Sequence, residues 1–450
     1  MYLEALPWFV HDKIINSLDM GNVLTISRLS RYWRSRALRH LTCSISTRKL
    51  DRAPNFKQTM TRVARFIKEI DVYEDLFILD PILAQCYKLN AIRICECKGK
   101  WPFMLKFFTR LEKIKKLHID TALDTSGLLD VLFRFKFLTD ICIAPVLSKD
   151  HLESLMRYLR KSEVRNLSVY VCLCSISCLN LVNKAAPSLV HFEIKCDHFI
   201  HHHEAMDMHF HLLESFVLTI NMACMAVFPF ICQKTFPSLK RCSVSDGRLL
   251  NFGPSGLNEP LPGLQELTIS LITTDFIKSL TYSYKSLSIL RISIGGTSFY
   301  SAMLLLSNIK QVCQLTLYDI GSCDPILRLP TYSFCATHVT FSGIESHHYL
   351  AYNWIFKSFP RLQFLDMDFG CRTTQLFWPS DPALPILSAT IFCLKTRGKL
   401  ATEELLDLCH ALPCLKYIYF FSNQFTKMKT ILHEAFPNLG CFMIENEPSL

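Results

Sequence analysis

Glycine is scarce in this chain, 14 in 450 residues. Loops that cradle phosphates need glycine where the backbone approaches the ligand. The one adjacent pair, Gly295-Gly296, belongs to neither a G-x-G-x-x-G nor a G-x-x-x-x-G-K-S/T pattern, so nucleotide chemistry has no signature here. Long apolar runs are missing as well. The longest candidate, Ala223 to Cys232, is too short to cross a bilayer. The opening Met1-Tyr2-Leu3-Glu4 lacks the basic and then apolar regions of a secretory leader, which predicts a cytoplasmic or nuclear protein, or one in both compartments. The 20 cysteines are then expected to be reduced thiols, many of them filling core positions as small hydrophobes. The zinc-protease pattern His-Glu-x-x-His is also absent, because Asp207 stands where the second histidine of His203-Glu204 would fall.

What the chain does have is apolar mass and a positive balance. Half the residues are hydrophobic, and 49 basic residues face 39 acidic ones, a formal charge of +10. That composition excludes a wholly disordered chain. Its length suggests about three ordinary domains unless the chain is a repeat array. It does repeat. Pro-Ser-Leu239-Lys-Arg-Cys242-Ser-Val244 and Pro-Gly-Leu264-Gln-Glu-Leu267-Thr-Ile269 share apolar residues at positions 1, 4 and 6, with a proline two residues ahead. Leu189, Leu362, Leu415 and Leu439 begin four more such copies. Weaker copies without the proline begin at Ile67, Leu89, Ile114, Leu138, Val164, Leu213, Leu287, Val312, Ala336 and Leu387. The sixteen marks average about 25 residues apart, within the leucine-rich-repeat range.

Positions 4 and 6 fall on one face of a short strand, and positions 3, 5 and 7 on the other. A segment with helical spacing is expected after each strand. Leu152, Leu155, Met156 and Leu159 stand one turn apart behind Ser148, a suitable N-cap, and Leu405, Leu406, Leu408 and Leu412 behave likewise. No unit of this size buries its apolar face alone, but a stack does. The fold class expected is α/β: a leucine-rich-repeat solenoid with a curved parallel sheet inside and helices outside. A doubly wound α/β domain also alternates strand and helix, but with a longer, less regular period and glycine in its ligand loops. Most copies lack the usual asparagine after position 6, so the array resembles the divergent ribonuclease-inhibitor-like or F-box-associated type.

The first 45 residues do not follow the period. Leu6-Pro7 opens the segment, followed by Ile14, Leu18, Val23, Leu29 and Trp33-Arg34. Pro7 suits a helix start, and Ile14/Leu18 and Leu29/Trp33 are one-turn pairs. This segment resembles the F-box. Trp8, Phe9 and Val10 depart from the family, which is usually polar there. The resemblance implies a three-helix F-box in residues 1–45, a basic connecting segment in 46–65 and a solenoid of about 16 repeats in 66–450. It further implies a substrate-recognition subunit of an SCF-type ubiquitin ligase: Leu6, Pro7, Ile14, Leu18, Val23, Leu29 and Trp33 bind a Skp-family adaptor and, through it, a cullin, while the repeats bind an unidentified protein substrate. Such a subunit is not itself an enzyme and needs no cofactor. The competing readings are a leucine-rich interaction scaffold whose N-terminus is only a helical cap, and a nucleic-acid binder suggested by the net charge.

Substrate-contact candidates are the side chains on the concave face: Arg241, Arg291, Tyr318, Tyr417, Tyr419 and Phe421, with Glu266, His338 and Asp366 between them and Cys441 and Met443 in the last repeat. The C-terminal aromatics suit either a binding hot spot or a platform beneath the tail Glu445–Leu450. The mixture of signs along this face argues against a nucleic-acid groove, and no membrane contact is expected. The histidines at 198, 201, 202, 203, 209 and 211, with Cys196, read as solvated surface between strands rather than a metal site, and Cys172, Cys174 and Cys178 read as structural thiols. The charge is local: between Arg28 and Phe66 lie eleven basic residues and one acid, Asp51. The other 411 residues balance to zero, so the excess sits beside the F-box-like segment, as a solvated helix face or as a contact for an acidic partner.

Overall fold

The computed structural model describes residues 45–46, 68–72, 86, 88–95, 113–120, 132–133, 135–200, 208–221, 234–246, 261, 263–269, 284–293, 303–304, 306–318, 332–344, 349–369, 390–397, 402–420 and 425–443. The F-box-like residues Leu6 to Trp33 and nearly all of the basic segment lie outside these. The chain divides into two compact units, Met1–Cys196 and Asp197–Leu450.

In the first unit the strands are β1 (Ile45–Ser46), β2 (Glu69–Val72), β3 (Ala91–Ile94), β4 (Lys116–Ile119), β5 (Asp140–Leu147), β6 (Asn166–Ser175) and the start of β7 (His191–Ile200). β1 to β6 pair in sequence order, all parallel. In the second unit β8 (Ser215–Ile220), β9 (Arg241–Asp246), β10 (Glu266–Ile269), β11 (Ile289–Ser293), β12 (Gln314–Tyr318), β13 (His338–Ile344), β14 (Phe364–Phe369), β15 (Cys393–Arg397), β16 (Tyr417–Phe420) and β17 (Gly440–Met443) do the same. This is a leucine-rich-repeat solenoid architecture, built as the period predicts. Among the described residues the helices given in full are α1 (Lys149–Leu159), α2 (Ile176–Ala185), α3 (Tyr349–Ser358), α4 (Thr402–His410) and α5 (Phe425–Ala435).

Many repeats, including those led by proline, enter the strand through the same turn. The amide of the position-1 leucine donates to the carbonyl three residues back, as in Leu239 to Phe236 at 3.4 Å, Leu362 to Phe359 at 3.0 Å and Leu415 to Leu412 at 3.0 Å. Proline two residues ahead of the leucine occupies the second turn position, where its fixed φ costs nothing and no N–H is needed. The residue before the proline drops into the core: Phe236, Phe359 and Leu412 are each buried. The carbonyl at position 2 then accepts two consecutive amides of the next repeat. Lys240 and Arg241 both donate to Glu214, and Gln265 and Glu266 both donate to Lys240, at 2.7–3.0 Å. Thus the turn backbone is satisfied without the asparagine that these copies lack.

Positions 1, 4 and 6 form the core. Leu213, Phe216 and Leu218 are fully buried, as are Leu287, Leu290 and Ile292. Ser148 caps α1 by accepting the His151 amide at 3.3 Å, and Leu155, Met156 and Leu159 are buried beneath it. Aromatic rings fill the wider gaps, with Phe236 stacked on both Phe210 and Phe216. Two strands bulge where the ladder loses a donor or a side chain: β5 against β6 between Ile143 and Val146, around Pro145, and β13 against β14 between Ser342 and Ile344, around Gly343.

Two marks of the repeat series move. The copy expected at Leu387 is instead built on Ile391: Leu394 pairs with Leu365, and Ile391 and Leu394 are fully buried. The preceding connection is longer than the period, and position 6 is Thr396, a polar type at a buried site. In the last repeat the strand begins one residue early. Ile418 pairs with Cys441 rather than with Phe442, so Cys441 is 9% exposed and Phe442 43%. The expectation that Cys441 lies on the open face is therefore wrong; Phe442 takes that place. Gly440 permits the slip, because a Cβ there would lie 3.0 Å from Tyr417 Cδ1 and 3.1 Å from Phe442 Cε2.

Candidate functional site: the open face of the sheet

Side chains at positions 3, 5 and 7 point away from the core, so each unit presents a face of parallel rows. In the first unit one row runs Glu69, Ala91, Lys116, Asp140, Asn166 and the other Asp71, Arg93, His118, Cys142, Ser168. Ala91, Cys142 and Ser168 are short, and longer charged residues stand around them. The result is a groove of about 400 Å³ lined by both rows and by His191. Its charges are organised. Asp120 receives Arg93 Nε at 2.7 Å and faces His118 Nε2 at 2.5 Å. Asp140 accepts from Asn166 Nδ2 at 2.6 Å and from Thr139 Oγ1 at 2.5 Å, with Lys116 Nζ 4.0 Å away. The hydrogen bond to Asp120 raises the Arg93 pKa further. Lys195 lies over the Tyr170 ring at 5.4 Å. Such a surface offers charged and hydrogen-bonding side chains to a partner.

In the second unit the position-5 row runs Val217, Ser243, Thr268, Arg291, Thr316, Thr340, Asp366, Lys395, Tyr419, Phe442. It passes from small hydroxyls through ion pairs to aromatics. Arg291 pairs with Glu266, and Lys395 with Asp366 at 3.4 Å. His338 stacks against Phe364 with centroids 5.8 Å apart. At the C-terminal end Tyr419 stacks on Phe442 at 4.8 Å and 19°, and Tyr417 stands 6.3 Å from Phe442.

Of the residues selected from sequence, Arg241, Arg291, Tyr318, Tyr417 and Tyr419 all lie on this face, and Tyr318 and Tyr417 are exposed. Phe421 lies outside the described residues. Asp366 is buried, sunk beside Lys395. The structure brings Tyr417 and Tyr419 together with Phe442, which sequence reasoning had assigned to the core, whereas Arg241 and Tyr318 sit strands away. The groove of the first unit was missed altogether. Its signal was legible: short residues at positions 3 and 5 of neighbouring repeats, flanked by charge.

His198 lies within β7, which extends to Ile200, so that part of the histidine segment is strand rather than connection. His209 and His211 are exposed, with ring centroids 3.9 Å apart. His201, His202 and His203 are outside the described residues. Among the described residues no group of three histidine, cysteine or acidic side chains is placed to hold a metal, no helix is long and apolar enough to cross a membrane, and the cysteines are free thiols.

No family model and no curated protein matches the chain. Among solved structures, a chain in the crystal structure of the TLR13–ssRNA13 complex aligns with 85% of this chain at 12% identity and a TM-score of 0.32. The alignment takes in 48% of that chain, so this protein spans about half its length. A chain in the crystal structure of the Rad7 and Elc1 complex in yeast aligns over 96% of both chains at 11% identity and a TM-score of 0.35. The fold is read from the parallel ladder and its period, not from these likenesses, which are too distant to speak of function.

Proposed function

We propose that this protein is the substrate-recognition subunit of an SCF-type E3 ubiquitin ligase. Residues 1–45 act as an F-box that binds a Skp-family adaptor and thereby a cullin, and the open face of the repeats holds a protein substrate. One conjunction carries the reading: Leu6-Pro7, Ile14, Leu18, Val23, Leu29 and Trp33 stand in F-box spacing directly ahead of a leucine-rich-repeat array. A short helical module has little core of its own and gains from a partner. The subunit contributes proximity and orientation to a reaction whose bond-making groups reside elsewhere. It therefore needs no cofactor, and it works in the cytoplasm, the nucleus or both. On the open face, Tyr417 and Tyr419, joined by Phe442, supply aromatic anchors, and Arg241, Arg291 and Tyr318 supply polar contacts. The basic stretch between Arg28 and Phe66 offers an acidic ligase subunit a complementary surface.

The test is co-purification. Wild-type protein brings down a Skp-family adaptor; Leu6→Ala/Pro7→Ala and Trp33→Ala lose it while circular dichroism of the repeats is unchanged. A wild-type chain that captures no adaptor contradicts the proposal and leaves a leucine-rich interaction scaffold without a ubiquitin role.

A further inference from the structure

The open face of the first unit carries its charges in a fixed order. Glu69 and Asp71 stand on β2, Arg93 on β3, Lys116 on β4 and Asp140 on β5. The ladder aligns Glu69, Ala91, Lys116 and Asp140 in one row and sets Asp71 beside Arg93 in the next. Across the strands the sign therefore runs acidic, basic, acidic. Ala91 is the short member of the first row and lowers the floor between Glu69 and Lys116. All of these residues line the same groove of about 400 Å³. Their charged ends are within reach of a partner. Glu69 is exposed, and the Arg93 and Lys116 side chains keep 48% and 57% of their surface. Asp120 holds Arg93 through Nε, and the terminal guanidinium nitrogens can donate elsewhere. Asp140 accepts from Asn166 and Thr139, but a carboxylate offers about four acceptor sites and has capacity left.

We infer that this groove binds an extended peptide lying across the strands, in which two basic side chains flank an acidic one. The inference rests on the proposed reading that the open face holds a protein substrate, and it names the class of segment recognised. The sheet sets the spacing. Neighbouring strands lie about 4.8 Å apart, and an extended chain rises about 3.4 Å per residue. From β2 to the midpoint of Arg93 and Lys116 is about 7 Å, or about two peptide residues. From β2 to Asp140 on β5 is about 14 Å, or about four residues. The pattern is therefore basic-x-acidic-x-basic, and its symmetry lets it fit in either chain direction. Arginine suits the outer positions, because its planar fork meets a carboxylate with two hydrogen bonds. A peptide with the signs in another order sets like charges against each other, which is how the groove discriminates. The net charge of +10 on the chain opposes capture of basic peptides in general, so the order of the charges decides binding rather than their sum.

The test is fluorescence anisotropy of two labelled, end-blocked peptides with the full-length chain at low salt. One reads Gly-Arg-Ser-Asp-Ser-Arg-Gly; the other, Gly-Asp-Ser-Arg-Ser-Arg-Gly, has the same composition and net charge. The first should bind saturably and about tenfold more tightly than the second, and added salt should weaken it. Glu69→Gln/Asp71→Asn should weaken the first peptide about fivefold. Lys116→Glu should weaken it too, and should shift preference towards a peptide with lysine in place of the central aspartate. Ala91→Trp, which fills the floor without changing charge, should abolish binding while circular dichroism is unchanged. Should a variant fold poorly, the two peptides with wild-type protein still decide. Equal affinity for both, no saturable binding of the first, or well-folded Glu69→Gln/Asp71→Asn or Ala91→Trp binding as wild type does overturns the inference. Adaptor capture by the same preparation is scored separately. Capture without peptide discrimination overturns this inference and leaves the ligase reading standing; discrimination without capture does the reverse.

Discussion

At the scale of single residues, three side-chain choices have measurable consequences. Thr396 is fully buried, and its Oγ1 has no hydrogen-bond partner among the described residues. A buried hydroxyl left unsatisfied costs free energy that an isosteric methyl does not. Thr396→Val should therefore stabilise the fold by about 1 kcal/mol in urea denaturation. Gly440 works the other way. Alanine there forces the Tyr417 and Phe442 rings apart, and because both are exposed they can yield. The predicted loss is modest, about 1 kcal/mol, with a clear change in near-ultraviolet dichroism as the aromatic cluster rearranges. The buried thiols predict a pH dependence. Burial raises Cys86, Cys242 and Cys409 from 9.0 to about 12. A folded-state value above the unfolded one means the unfolded chain releases its protons first. Their contribution is then complete below pH 9 and declines as pH climbs to about 12. The urea midpoint should fall across that window, and less steeply in Cys242→Val; identical slopes would refute the assignment.

At the scale of elements, the repeating turn accounts for most of what could be read from sequence. Pro237 and its counterparts mark a fixed turn, the leucine after it marks the core, and the strand register follows within two residues. Where the turn proline is missing and the core residue is unusual, reading fails. Thr396 hides β15 because position 6 is not apolar, and the long connection before it invites a false match at Leu387. Gly440 hides the slip of β17, because Leu439-Gly-Cys-Phe442-Met-Ile444 satisfies the pattern in the wrong register. The open-face aromatics were legible as Tyr417 and Tyr419, but their third member was not. Capping chemistry is tested by Ser148→Ala, which removes the acceptor for the His151 amide and should cost about 1 kcal/mol. The loss should be absent if α1 is held by packing alone.

At the scale of the whole molecule, charge is unevenly distributed along the chain. The excess of basic residues lies between Arg28 and Phe66, whereas the open faces of the two units carry mixed signs tied up in pairs such as Arg93 with Asp120 and Lys395 with Asp366. On the proposed reading, the basic segment serves a ligase partner and the open faces serve a substrate. The period made the array legible, because a stack of identical small units must repeat its core residues. What the face binds was not legible, because side chains at positions 3 and 5 are free of the core and follow no rule except that of their partner. The account rests on the division of labour between the two parts. Its most direct test is a calorimetric titration of a purified Skp-family adaptor into the full-length chain and two variants. Wild type and Tyr417→Ala/Tyr419→Ala should bind with equal affinity and one-to-one stoichiometry, and Trp33→Ala should not bind. Absence of heat with the wild type, or equal binding by Trp33→Ala, would contradict it.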